Sequence, residues 1–155
     1  MLKQSPNDSK QYQAITLNNG LRVLLIHNND TAKAAGALAV NVGHFNDPRD
    51  RQGLAHFLEH MLFLGTKSFP DGSEYQKFIS QHGGNHNAWT GTEHTCFFFD
   101  VAAEHFSTAI ERFSEFFIAP LLADEFVVSE RENIDAEFTL KLKDDIRRLY
   151  DVHKD

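Results

Sequence analysis

The sequence lacks most of what would mark a secreted, membrane-bound or nucleic-acid-binding chain. Among its 155 residues there is one cysteine, Cys96, so no internal disulfide can form and cysteine usage says nothing of the redox compartment. No apolar run approaches the roughly 20 residues that cross a bilayer. The start, MLKQSPNDSK, has no hydrophobic segment of the signal-peptide kind, so any export signal is expected to be absent or removed. Basic residues are outnumbered, 15 against 22 acidic, and the signs are interspersed. The resulting charge of −7 argues against a nucleic-acid-binding surface. Internal repeats and low-complexity tracts are absent too.

What is present suits one soluble globular domain. The chain is 41% hydrophobic and includes 14 Phe, enough large apolar surface for a sizeable core. Nine histidines is a high count that asks for an explanation.

Residues 1–11 are polar and read as a leader, disordered or loosely attached, ahead of a domain spanning 12–155. Tyr12–Leu17 and Leu21–His27 are apolar-rich runs separated by Asn18-Asn19-Gly20, a strong hairpin signal. Ala34–Val42 reads as a buried strand, and Asn46-Asp47-Pro48 as a turn. A helix is expected over residues 51–64, closed by Gly65. Ser73 with Gln76 resembles a capping box opening a second helix that stops before Gly83-Gly84. Strands are expected at Asn85–Thr92 and Thr95–Ala102. Phe106, Ala109, Ile110, Phe113, Phe116 and Phe117 recur at helical spacing, so residues 105–118 read as a helix closed by Pro120. From Asp124 the chain runs to about Tyr150 without Gly or Pro and reads as one long charged helix. This order implies an α+β fold, a largely antiparallel sheet with helices packed on one face.

The chemistry gathers in GLAHFLEHMLFLG, residues 53–65. Residues one turn apart share a face of a helix, so His56, Glu59 and His60 project together. Two imidazoles so placed can each give one nitrogen to a zinc ion, and the carboxylate between them can reach a bound water as general base. The H-x-x-E-H pattern is the inverted form of H-E-x-x-H. The ordinary alternative is three polar groups on the rim of a core helix. A catalytic zinc site normally takes three protein ligands. On the last helix Glu130 and Glu137 share a face while Glu132 and Asp135 point elsewhere. Helical spacing nominates the pair, one as ligand and one as its support, without choosing between them.

Taken together, QYQAITLNNGLRVLLI, DPRDRQGLAHFLEHMLFLGTKSFP, HGGNHNAWTGTEHTCFFFDV and SERENIDAEF resemble the insulinase/pitrilysin family of inverted-motif zinc metalloendopeptidases over nearly the whole chain. Within it they look closest to the large single-chain branch, which holds the pitrilysin-like and insulin-degrading members. The resemblance implies the N-terminal domain of that fold, with one Zn2+ on His56, His60 and Glu137 and an auxiliary role for Glu130. Glu59 would take a proton from the zinc-bound water as it attacks a peptide carbonyl, then deliver it to the departing amine. By the same resemblance Asn87 and Ala88 lie on an edge strand that binds substrate as an added strand, which tolerates many sequences because main-chain pairing does not read side chains. The implied partners are short or unfolded peptides and the C-terminal domains of a longer protein. Without those domains the 155 residues would be poorly active, and the exposed domain face would favour self-association. A non-catalytic, peptide-holding relative and a truncated, inactive domain are the alternatives. The resemblance fits a soluble periplasmic or a cytosolic enzyme equally and leaves localisation unknown.

The remaining histidines lack ligand spacing. Gly83 and Gly84 separate His82 from His86. His27, His44, His94, His105 and His153 read as surface or hydrogen-bonded polar residues. Cys96, inside a strand, reads as packing rather than as a nucleophile.

Overall fold

The computed structural model describes residues 3–154, and in the last helix it leaves the side chains of residues 147, 150, 151, 153 and 154 undescribed. The expectation for His153 therefore lies outside the described residues. Two compact units can be distinguished, one through Ala32 and one from Lys33 onward, and each is treated by itself.

In the first unit the Asn18-Asn19-Gly20 signal makes the hairpin it implies. Strand β1 (Gln11–Thr16) pairs antiparallel with β2 (Arg22–His27), from Gln11 opposite His27 to Thr16 opposite Arg22. Asn19 Oδ1 accepts from the Leu21 amide at 3.1 Å inside the turn. Ahead of β1, the Gln4 side-chain amide donates to the carbonyls of Asp8 and Lys10, and the Tyr12 hydroxyl donates to Asp8.

The second unit is built on a three-stranded antiparallel sheet in the order β3-β5-β4, with β3 at Lys33–Val40, β4 at Asn85–Thr90 and β5 at Thr95–Ala102. The fold is α+β with antiparallel strands, as expected. Among the described residues β1 and β2 make a two-stranded sheet in the first unit, and the second unit holds the three-stranded one. Alternation along β5 sends Phe97, Phe99 and Val101 to one face, where they are almost wholly buried. On that face pack Leu62 from α1 (Leu54–Leu62), Tyr75 and Ile79 from α2 (Glu74–Gln81), and Ala109, Phe113 and Phe116 from α3 (Phe106–Ile118). The Phe99 and Phe113 rings stand 5.0 Å apart, and each such fully buried ring contributes about 1.5–3 kcal/mol by removal from water. Gly84 sets the start of β4: a Cβ there would lie 2.1 Å from the Asp100 carbonyl oxygen, so no side chain fits between the two strands.

Three local expectations change. Helix α1 is shorter than residues 51–64, because Gly53 at positive φ forms its N-cap and Phe63 its C-cap. The Ser73–Gln76 capping box does not form. Ser73 instead directs its amide and hydroxyl to Asp71 Oδ1, at 2.8 and 2.6 Å. The long C-terminal helix is two helices, α4 (Asp124–Lys141) and α5 (Asp145–Lys154). Asp144 makes the break: its Oδ1 accepts from the Ile146 amide at 2.9 Å and its carbonyl from the Arg148 amide, which caps a new helix instead of continuing the old one.

Candidate metal centre

Helix α1 starts at a glycine, which has no side chain to cap it. Asp47, six residues upstream, supplies the missing acceptors: its carboxylate takes the Gly53 amide at 2.7 Å and the Ala55 amide at 2.8 Å. The Asp47 side chain is only 2% exposed. This places a negative charge at the positive end of the helix and pins the turn that carries His56.

From that turn, His56 and His60 converge. Their rings meet edge-on, with centroids 4.7 Å apart, and their Nε2 atoms are 3.3 Å apart. Glu137 arrives from α4, its Oε2 3.8 Å from His56 Nε2 and 3.7 Å from His60 Nε2. Among the described residues, these three form the one group of three or more His, Cys, Asp or Glu whose donor atoms all lie within 4.8 Å of one another. Tetrahedral zinc with bonds of about 2.0–2.1 Å needs ligand atoms ~3.3–3.4 Å apart. The two nitrogens already meet that spacing, and the carboxylate would have to close by a few tenths of an ångström. The donor set, two imidazoles and a carboxylate, is one that zinc takes.

Electrostatics prepare the donors. Glu130 Oε2 lies 3.1 Å from His60 Nδ1, a contact that favours a proton on this nitrogen; in the neutral ring of that tautomer Nε2 carries the lone pair a metal needs. Asn133 holds the other Glu130 oxygen at 2.9 Å. Burial, and then the neighbouring His60, push His56 below its ordinary pKa and favour the neutral ring that can ligate. For Glu137, burial disfavours the charge, but the Lys141 ammonium outweighs it by donating to Oε1, and the net pKa is lowered. Glu130, Asn133, Glu137 and Lys141 thus line one side of α4, whereas Glu132 and Asp135 are exposed and make none of these contacts.

Glu59 stands on the same helix, between the two histidines in sequence, and is only 8% exposed. Burial raises its pKa, while a hydrogen bond from the Thr90 hydroxyl to Oε2 works in the opposite direction. Thr90 ends β4, an edge strand of the sheet. Two residues earlier, the Ala88 amide turns to Asn87 Oδ1 at 2.9 Å instead of to β5. In an antiparallel strand the carbonyl of a residue follows its amide, so Ala88 presents both groups at the open edge.

Asp47, Thr90 and Lys141 were not singled out in the sequence. Lys141 had a signal, since it stands four residues after Glu137 on one helix. Asp47 had half of one, as an Asp in an Asn-Asp-Pro turn. Thr90 had none, because its partner is 31 residues away. The other described histidines sit apart from the cluster or at its rim. His82 bonds the Phe78 carbonyl at 2.7 Å, His86 packs on Phe63 and Tyr75, His94 on Trp89 and His105 on His82. His27 contacts Asn29, and His44 lies 3.8 Å from Asp47.

Comparison with known proteins shows the family. The profile of the family described as insulinase (Peptidase family M16) matches residues 22–148. The human insulin-degrading enzyme is 42% identical over 153 residues, covering 99% of this chain and 15% of that protein. The A-factor-processing enzyme of Saccharomyces cerevisiae is 42% identical over 147 residues, covering 95% of this chain and 14% of that protein. The crystal structure of pitrilysin superposes with a TM-score of 0.85 at 38% identity, covering 89% of this chain and 15% of that one. The chain therefore spans about 15% of the length of these relatives.

Proposed function

The chain belongs to the insulinase family, peptidase family M16, and from that premise we propose that it is a zinc-dependent endopeptidase domain that hydrolyses short or unfolded peptides. The observation that carries the proposal is the convergence of His56 Nε2, His60 Nε2 and Glu137 Oε2 within 4.8 Å, one helical turn from a buried carboxylate.

His56, His60 and Glu137 would hold one zinc ion. Bound there, zinc supplies Lewis acidity, polarising a peptide carbonyl and lowering the pKa of water toward ~7. Glu59 does the proton work. Its Oε2 is tied to Thr90, so Oε1 takes the proton of the attacking water and passes it to the departing amine. Glu130 keeps His60 in the ligating tautomer, and Lys141 holds the far oxygen of Glu137. A peptide adding to β4 as an extra strand would meet the amide and carbonyl of Ala88, with Asn87 releasing the amide it now caps.

We read residues 12–155 as the N-terminal domain of a longer polypeptide, with residues 1–11 as a leader whose last residue, Gln11, already opens β1. Efficient cleavage then requires the remaining domains of that polypeptide to enclose the peptide.

Metal content together with Glu59→Gln tests the proposal in the protein as encoded. Stoichiometric zinc should be present, and E59Q should retain it while peptide cleavage falls by roughly 10²- to 10⁴-fold. Failure to bind zinc after supplementation would overturn the metal assignment. Undiminished cleavage by E59Q would overturn the role of Glu59.

A further inference from the structure

Glu59 has two oxygens, and the proposed reaction needs one of them free and aimed. Among the described residues a single hydrogen bond reaches this carboxylate, the one from Thr90. The protons can be counted. Thr95 stands opposite Thr90 in the β4–β5 register and is 6% exposed. A hydroxyl has one proton. That of Thr95 goes to the Val42 carbonyl at 2.8 Å, rather than to Thr90 Oγ1 at 3.5 Å. Thr90 then has its own proton to give, and the carboxylate is the stronger acceptor.

The backbone adds direction. Thr90 is β-branched and ends a strand, so its χ1 is stiff and its hydroxyl is aimed by the sheet. Along β4, His86 turns to Phe63 and Tyr75 of the helical layer, and Thr90, four residues on, points to the same side. The sheet edge proposed to receive substrate and the helix carrying His56 and His60 are thereby joined through one hydroxyl.

We infer that Thr90 is a positioning residue for Glu59: its hydroxyl holds Oε2 against the β4 edge and leaves Oε1 as the oxygen that accepts and returns the proton. The inference rests on the proposed role of Glu59. Among the described residues Glu59 has no other hydrogen-bond partner, so this hydroxyl is what fixes which way its carboxylate is turned. Strand β4 thus presents the peptide backbone and sets the base from two residues of one element, Ala88 and Thr90, which keeps their spacing fixed. Serine can replace the hydroxyl but not the stiffness, whereas valine keeps the shape and removes the proton.

The test compares Thr90→Val, Thr90→Ser and Glu59→Gln in the zinc-loaded protein as encoded, by steady-state cleavage of a quenched fluorescent peptide, zinc content and crystal structures of wild type and T90V. T90V should lower kcat roughly tenfold to hundredfold with KM and zinc content unchanged. T90S should recover most of that loss. In the crystals the Glu59 carboxylate should sit on Thr90 Oγ1 in wild type and leave that position in T90V. Wild-type kcat in T90V beside an inactive E59Q overturns the positioning role and spares the role of Glu59. Full activity in E59Q overturns the underlying role itself. An unmoved Glu59 carboxylate in T90V overturns the inference even in a protein that cleaves nothing, and so does a fall in kcat that T90S does not relieve.

Discussion

Replacing Asp47 with Ala should damage both the fold and the metal centre, although Asp47 is not proposed to touch metal or substrate. The side chain is 2% exposed and accepts two amides of the first turn of α1, at 2.7 and 2.8 Å. Loss of a helix cap costs about 1 kcal/mol, rising to about 2 in proteins. Loss of a charge at the helix N-terminus adds about 0.3–1 kcal/mol. The second bond, to the Gly53 amide, lies outside that cap, and its loss adds about 1 kcal/mol. The total is about 2–4 kcal/mol, a large fraction of a typical stability. Asp47→Asn keeps one acceptor and turns an NH₂ toward the other amide, so about half the loss is expected. The metal follows the helix. His56 is the residue after Ala55, and if the first turn is formed only a tenth of the time, apparent zinc affinity falls about tenfold. Urea titration of metal-free protein measures the first effect and competition with a chelator the second. A D47A protein within about 0.5 kcal/mol of wild type, or D47N as unstable as D47A, would refute the capping argument.

Two further outcomes are expected. Glu130→Gln removes the charge that holds His60 Nδ1–H, and zinc affinity should fall roughly 10- to 100-fold in chelator competition. Glu137→Gln should cost more, and the reverse order would exchange the two roles. His86 packs against Phe63 and Tyr75, and burial lowers its pKa, so its neutral form is the folded one. Its contribution to stability is complete above its unfolded value of about 6.5 and is lost as pH falls through the lower folded value. Urea midpoints between pH 7.5 and 5 should therefore decline less steeply for His86→Phe than for wild type, and parallel declines would remove His86 as a cause.

Periodic features were the legible part of the sequence. The Phe spacing of α3, the Asn-Asn-Gly hairpin and the one-turn spacing of His56, Glu59 and His60 are local, and each fixes a face or a turn by itself. What escaped depends on competition between local options. Nothing in Lys141-Leu142-Lys143-Asp144 forbids a helix, yet the Asp144 side chain offers the Ile146 amide a nearer acceptor and the helix restarts. Ser73 and Gln76 have capping-box spacing, but Asp71 takes the Ser73 amide and hydroxyl first. The exposure of Leu54 and Leu58, and the burial of Glu59, also reverse the simplest pattern of apolar inside and polar outside. A helix whose polar group faces β4 and α4 must turn some of its leucines outward, and only the tertiary neighbours decide which.

The spacing of Glu130 and Glu137 carries more than a shared face. Seven residues of α4 rise about 10.5 Å, too far for two carboxylates to meet at one atom but enough for them to flank one ring. His60 is that ring. Its Nδ1 faces Glu130 at 3.1 Å and its Nε2 faces Glu137 at 3.7 Å, so one helix reaches both nitrogens of a single imidazole from opposite sides. A neutral imidazole has one donor nitrogen and one acceptor nitrogen, and the two carboxylates cannot play the same role toward it. In a neutral ring that donates from Nδ1, Nε2 carries the lone pair and the carboxylate facing it would be an unfavourable contact that a cation between them relieves. His56 Nε2, 3.3 Å from the same nitrogen, narrows that place further. In the proposed site, the division between supporting and ligating carboxylate would follow from the tautomer that Glu130 favours. Helical spacing treats the two glutamates alike, whereas the ring between them meets one at each nitrogen, and that asymmetry supports the proposed roles.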